Sequence, residues 1–105
     1  MSVLFNSLKE KLRTVPAVEV DYYKNSSLLV VNYKGKEVAH FQNEFEIDLR
    51  LSRSIIKREG LVPPQNSESH PDRSKNSIWI VQQFHSTTEV DEIVRLVMLA
   101  IELRQ

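Results

Sequence analysis

The chain has 105 residues, 41% hydrophobic and 27% charged, the composition of one folded domain, residues 1–105, with a single core. Fourteen basic residues balance fourteen acidic ones, so the excess that marks nucleic-acid or membrane-surface binding is missing. With no cysteine, disulfides, thiolate catalysis and cysteine zinc sites are excluded.

No window approaches the roughly 18 apolar residues of a membrane span. The first thirteen residues mix charged side chains among the apolar ones, unlike a signal peptide. A cytoplasmic location is expected, with no membrane and no nucleic acid as partner.

Val3, Leu4, Phe5, Leu8 and Leu12 recur at helical spacing, opposite Lys9, Glu10, Lys11 and Arg13. This predicts an amphipathic helix capped by Ser2 or Asn6 and stopped before Pro16. From Ala17 to Gln42 the period becomes two. Val18, Val20 and Tyr22 alternate with Glu19 and Asp21, and residues 23–27 supply a turn. Leu28 to Tyr33 is a β-rich run, and Lys34-Gly35 a two-residue connection into Lys36 to Gln42. Asn43-Glu44 turns the chain again.

Phe45-Glu46-Ile47-Asp48-Leu49-Arg50-Leu51 alternates strictly. It predicts a strand with Phe45, Ile47, Leu49 and Leu51 in the core and Glu46, Asp48 and Arg50 on an open face. Short connections make the four strands an antiparallel meander.

Ser52 is placed to cap a short basic helix ending at Gly60. The polar, turn-rich stretch from Gln65 to Ser77 is long for a loop in a compact domain, a length that goes with function or mobility. Ile78 to Phe84 is a fifth strand, apolar on both faces. A final helix opens at Thr87 or Thr88, the latter with Asp91 forming a variant capping box, and buries Val90, Ile93, Val94, Val97, Ala100 and Ile101. The expected class is α+β, in the order α-β-β-β-β-α-β-α. Its antiparallel sheet of about five strands carries its helices mainly on one face and leaves the other at least partly free.

Candidate chemistry gathers in two places. Asp48 and Arg50 share a strand face, and His40 or Gln42 can lie beside them on the next strand. Here Arg50 would bind an anion, while Asp48 would orient His40 or ligate a metal. The same residues also fit a solvated face laced with weak ion pairs. The loop His70-Pro71-Asp72-Arg73-Ser74 packs an imidazole, a carboxylate, a guanidinium and a hydroxyl into five residues. His70 suits proton transfer, and Arg73 with Ser74 suits a phosphate or carboxylate. An ordinary turn, with Asp72 and Ser74 bonded to nearby backbone, fits equally.

His40, Asp48, His70 and Asp72 lack any metal-ligand spacing, so no metal site is assigned. His85 is expected to be structural or exposed, and Trp79 to be core or pocket wall. With two glycines there is neither a P-loop nor a dinucleotide fingerprint, and no cofactor is identified.

Glu46-Ile47-Asp48-Leu49-Arg50-Leu51, Gly60-Leu61, His70-Pro71 with Asp72-Arg73-Ser74, Trp79, and Arg95-Leu96-Val97 with Ala100 resemble the small proteins of the luciferase domain family, a domain of unknown function. The resemblance runs over roughly residues 36 to 103, as in a stand-alone bacterial-type member. It draws attention to His40, Asp48, Arg50, His70 and Trp79 and carries no established reaction. The residues themselves offer no flavin, nucleotide or haem motif to support light emission or oxygenation.

The expected function is binding of a small anionic ligand between the Asp48/Arg50 face and the His70–Ser74 loop, lined by His40, Arg50, Asp72, Arg73, Ser74 and Trp79. One alternative is an enzyme with His70 as general acid or base, supported by Asp48 and His40. The other is an interaction module acting through a sheet edge or the basic helix from Ser52 to Gly60.

Overall fold

The computed structural model describes residues 2–66, 73, 74 and 76–105. Its elements are α1 (Val3–Arg13), β1 (Val18–Tyr22), β2 (Leu29–Tyr33), β3 (Lys36–Phe41), β4 (Glu46–Arg50), α2 (Arg53–Arg58), β5 (Trp79–Gln83) and α3 (Thr87–Glu102). The strands form one antiparallel sheet in the order β1-β2-β3-β4-β5. Sequence and space thus run together, as short connections require. Among the described residues, no helix is long and apolar enough to cross a membrane.

Local chemistry sets the element ends. Ser2, Ser52 and Ser86 each cap a helix by accepting a backbone N–H through the side chain, satisfying donors that the first turn leaves open. α3 begins at Thr87, as expected, but the capping box expected of Thr88 with Asp91 is corrected. Ser86 is the cap, and Glu89, three residues on, reaches back to the His85 N–H at 2.7 Å. The β2–β3 turn holds Lys34 at φ 49° and Gly35 at φ 80°, the two positive values a tight hairpin turn needs.

The core lies between the sheet and its helices. α1 sits against β1 and α3, and α3 crosses β3 and β4. Phe41 of β3 is met edge-on by Phe5 of α1 at 5.1 Å and by Phe84, just after β5, at 6.2 Å. Ile47, Leu49 and Leu51 are fully buried in the same cluster, as their alternation predicts. Some expected members fall outside it, Tyr22 at 51% exposure among them. Phe45 is 43% exposed and stacks on His85 instead, because β4 begins one residue later. Val3, at the first position of α1, is 83% exposed.

One irregularity positions the site. Val31 pairs with Ala39, but Asn32 pairs with Glu37, so β3 carries an extra residue, Val38. This β-bulge turns both Val38 and Ala39 into the core and leaves Glu37 and His40 together on the opposite face. Residues three apart on a regular strand would face opposite sides.

Candidate functional site

The register aligns Asp21, Val30, His40, Asp48 and Val81 in one row across all five strands. On the face away from the core cluster, Asp48 is 0% exposed and Glu46 3%. The expectation of an open, solvated face therefore fails here. These carboxylates are buried, and an ionised carboxylate withdrawn from water needs charged or hydrogen-bonding partners.

Asp48 has such a partner in Arg73, which donates from Nη1 to Oδ1 at 2.7 Å and from Nη2 to Oδ2 at 2.8 Å. This is a bidentate pair between residues 25 positions apart, and it pins residue 73 onto the sheet. Asp48 Oδ2 also lies 3.4 Å from His40 Nε2. On the other side of the ring, Glu37 Oε2 lies 2.7 Å from His40 Nδ1, and the Gln42 side-chain nitrogen is 2.9 Å from Nε2. With Glu37 set to accept from Nδ1–H, Nε2 is the ring nitrogen that faces Gln42 and Asp48. Trp79 packs against the ring at 5.1 Å between centroids.

Glu46 forms a neighbouring network. It accepts from Asn43 Nδ2 at 2.7 Å and from Gln83 Nε2 at 3.1 Å, and Gln83 Nε2 also donates to Asn66 Oδ1 at 3.0 Å. Glu46 ties the turn before β4 to strand β5, and Gln83 extends the link to the loop after α2.

The structure thus brings His40, Asp48, Arg73 and Trp79 together. Arg50 belongs to the same face and pairs with Trp79 in register; its Nη1 donates to the Glu37 carbonyl at a long 3.5 Å. Ser74 is exposed, and its hydroxyl accepts the Asn76 N–H at 3.1 Å, the bonding of a local turn. His70 and Asp72 lie outside the described residues. His85 is exposed, with Nε2 3.0 Å from Gln83 Oε1.

Among the described residues no group of three histidine, aspartate or glutamate side chains is arranged to hold a metal. Glu37 and Asp48 approach opposite nitrogens of the imidazole, so their oxygens do not converge on one point. Glu37 is the partner that sequence periodicity missed. Its signal was the adjacent apolar pair Val38-Ala39, which interrupts the alternation between Glu37 and His40.

The family model for the luciferase domain matches residues 35–100. The chain belongs to the luciferase domain family. The match spans β3 through most of α3, and so contains Glu37, His40, Asp48, Arg73 and Trp79. No curated protein and no solved structure shows significant similarity to the chain. What this luciferase domain does must therefore be argued from its own residues.

Proposed function

We propose that this luciferase domain binds a small anionic ligand on the sheet face opposite α1 and α3, between Arg50 and the segment that carries Arg73. The observation that carries the reading is the contrast between its two guanidiniums. Arg73 is committed to Asp48 through two short bonds. Arg50 is half-buried, has only one long bond to a backbone carbonyl, and has no carboxylate at ion-pair distance among the described residues. A half-buried guanidinium without a counter-ion favours an anionic ligand. Trp79 and His40 form the adjoining wall. Asp48 and Arg73 act in this reading as the scaffold that orients the wall.

The test is thermal melting of the chain against carboxylates, phosphates and nucleotides, repeated on Arg50→Ala. A ligand at 100 times its dissociation constant adds about 2.7 kcal/mol, a shift of several degrees for a domain of this size. Stabilisation absent from Arg50→Ala supports the reading; equal stabilisation of both proteins overturns it.

A second reading, an enzyme, draws on the Glu37–His40 contact. A carboxylate on Nδ1 is the arrangement that leaves Nε2 to take a proton as general base. It predicts that His40→Gln abolishes turnover of a bound ligand while leaving its affinity within a few-fold.

An interaction module acting through the β1 edge has less support. The outward-facing groups of that edge include the Val18 N–H, bonded to Val15 O, the Val20 carbonyl, bonded to Arg13 Nη2, and the Tyr22 N–H, bonded to Asp21 Oδ1. An edge blunted by its own side chains is a poor template for another strand.

A further inference from the structure

The chain's one tryptophan, Trp79, stands directly beside Arg50. Leu51 donates its N–H to the Ile78 carbonyl at 2.7 Å, so the next pair along the ladder, Arg50 with Trp79, is a non-hydrogen-bonded pair. In an antiparallel sheet such pairs hold their side chains closest, with Cβ atoms about 4.5–5.5 Å apart. Guanidinium and indole therefore rise from one spot on the sheet. Arg50 reaches over β3 to the Glu37 carbonyl at 3.5 Å. The indole crosses β4 to meet the His40 ring at 5.1 Å, tilted by 45°. Glu37 Oε2, 2.7 Å from His40 Nδ1, joins the two branches, so four side chains form one contiguous group.

Within that group the indole keeps contact surface and a donor in reserve. Trp79 is half-buried. Among the described residues, His40 is the one ring that touches it, and no cation lies over it. Its Nε1–H, which can only donate, has no acceptor among the described residues. Charge describes the other end of a ligand. Asp48 and Arg73 neutralise each other through their bidentate pair. Arg50 adds one positive charge, and the Glu37 carboxylate lies close by, turned to His40. One negative charge on a ligand meets Arg50, whereas a second would meet the carboxylate of Glu37.

We infer that the ligand is an aromatic monocarboxylate, held by its carboxylate on Arg50 and by its ring against Trp79. The inference rests on the anionic-ligand reading above and adds the ligand's class. A carboxylate matches the planar fork of a guanidinium with two parallel hydrogen bonds. An aromatic ring gains more from an indole than apolar area alone, because the two quadrupoles favour offset or edge-on packing. Arg50 and Trp79 are cross-strand neighbours, so one small molecule can use both without spanning the face. Arg73 stays with Asp48 and serves to hold the sheet face on which the pair stands.

The experiment titrates the full chain with benzoate, cyclohexanecarboxylate, acetate and phenyl phosphate at constant ionic strength. It follows the single indole N–H resonance and the Arg50 Nε–H resonance by NMR in the native protein, Arg50→Gln and Trp79→Leu. Benzoate is expected to shift both resonances, to bind about ten-fold more tightly than acetate, and to lose about ten-fold in either variant. It should also bind several-fold more tightly than cyclohexanecarboxylate, whose puckered ring cannot stack, and than phenyl phosphate, whose second charge meets Glu37. Acetate matching benzoate, with loss confined to Arg50→Gln, overturns the aromatic class while leaving the anion at Arg50. Phenyl phosphate binding more tightly than benzoate overturns the single charge and likewise leaves the anion in place. Benzoate affinity unchanged in Arg50→Gln, or no binding of any of the four to the native chain, overturns the inference and the anionic reading together. Should Trp79→Leu fail to fold, the native chain decides the stacking, and cyclohexanecarboxylate binding as tightly as benzoate overturns it.

Discussion

On the helix side of the sheet, Ala39, Phe41, Ile47 and Leu49 are buried among Phe5, Leu8, Phe84, Leu96 and Val97. On the other side, one residue along the same strands, Asp48 and Glu46 are sealed in by Arg73, His40, Asn43 and Gln83. The first face is held by apolar area, which is non-directional and tolerates rearrangement. The second is held by groups that are costly to bury alone and settle in place only when each meets its partner. A fold needs only the first. The second face, with two buried carboxylates and a histidine held from both sides, is where side-chain geometry is most tightly specified, which is what a recognition site requires.

Asp48 and Leu49 give the sharpest way to break this comparison, since they are adjacent, both fully buried, and point to opposite faces. Leu49→Ala is expected to cost about 2–5 kcal/mol through lost transfer energy and the cavity left behind. Asp48→Ala is expected to cost about 3 kcal/mol, near the lower end for a broken buried pair because Arg73 keeps some access to water. The two faces separate in the rescue. Asp48→Leu with Arg73→Met replaces the ion pair by apolar contact and should recover most of the loss in urea melts, while abolishing any ligand response at Arg50. A double variant as unstable as Asp48→Ala would mean that the pair carries structural weight beyond its charges.

A smaller effect is expected from Glu37→Gln. It removes the carboxylate at His40 Nδ1 and should cost about 1 kcal/mol. Its signature is a change in tautomer balance, read from the two ring-nitrogen shifts of His40 by NMR; an unaltered pattern would show that Gln42 and Asp48 fix the ring without Glu37.

The smallest effect belongs to the helix side, where Arg95 bridges Glu59 and Glu92 on the surface. The hydrogen bond from Arg95 holds the Glu59 carboxyl below its ordinary 4.5. The stability this adds is present above pH 4.5 and lost as pH falls through the depressed value. Glu59→Gln should therefore lower stability slightly at neutral pH and flatten the acid limb of the stability profile, an effect that shrinks with added salt.

The element order was legible because periodicity is a local property. Strict alternation from Glu46 to Leu51 can bury Ile47, Leu49 and Leu51 only as a strand, and the spacing of Val90, Ile93, Val97 and Ala100 can bury one stripe only as a helix. Lys34-Gly35 fixed a two-residue turn, and Ser2 and Ser52 fixed caps, for similarly local reasons. Asp48 and Arg50 were legible as neighbours on one face, with His40 or Gln42 beside them, because a meander with short turns pairs consecutive strands; Trp79, beyond α2 and a long loop, was legible only as core or pocket wall.

Tertiary structure alone decided the rest. Whether the polar face is open or sealed depends on where residue 73 lands, a contact across 25 positions that no local pattern encodes. The bulge at Val38 set Glu37 beside His40 by breaking the very period from which faces are read. Period and turn chemistry are written residue by residue, whereas burial and charge pairing belong to the packed whole.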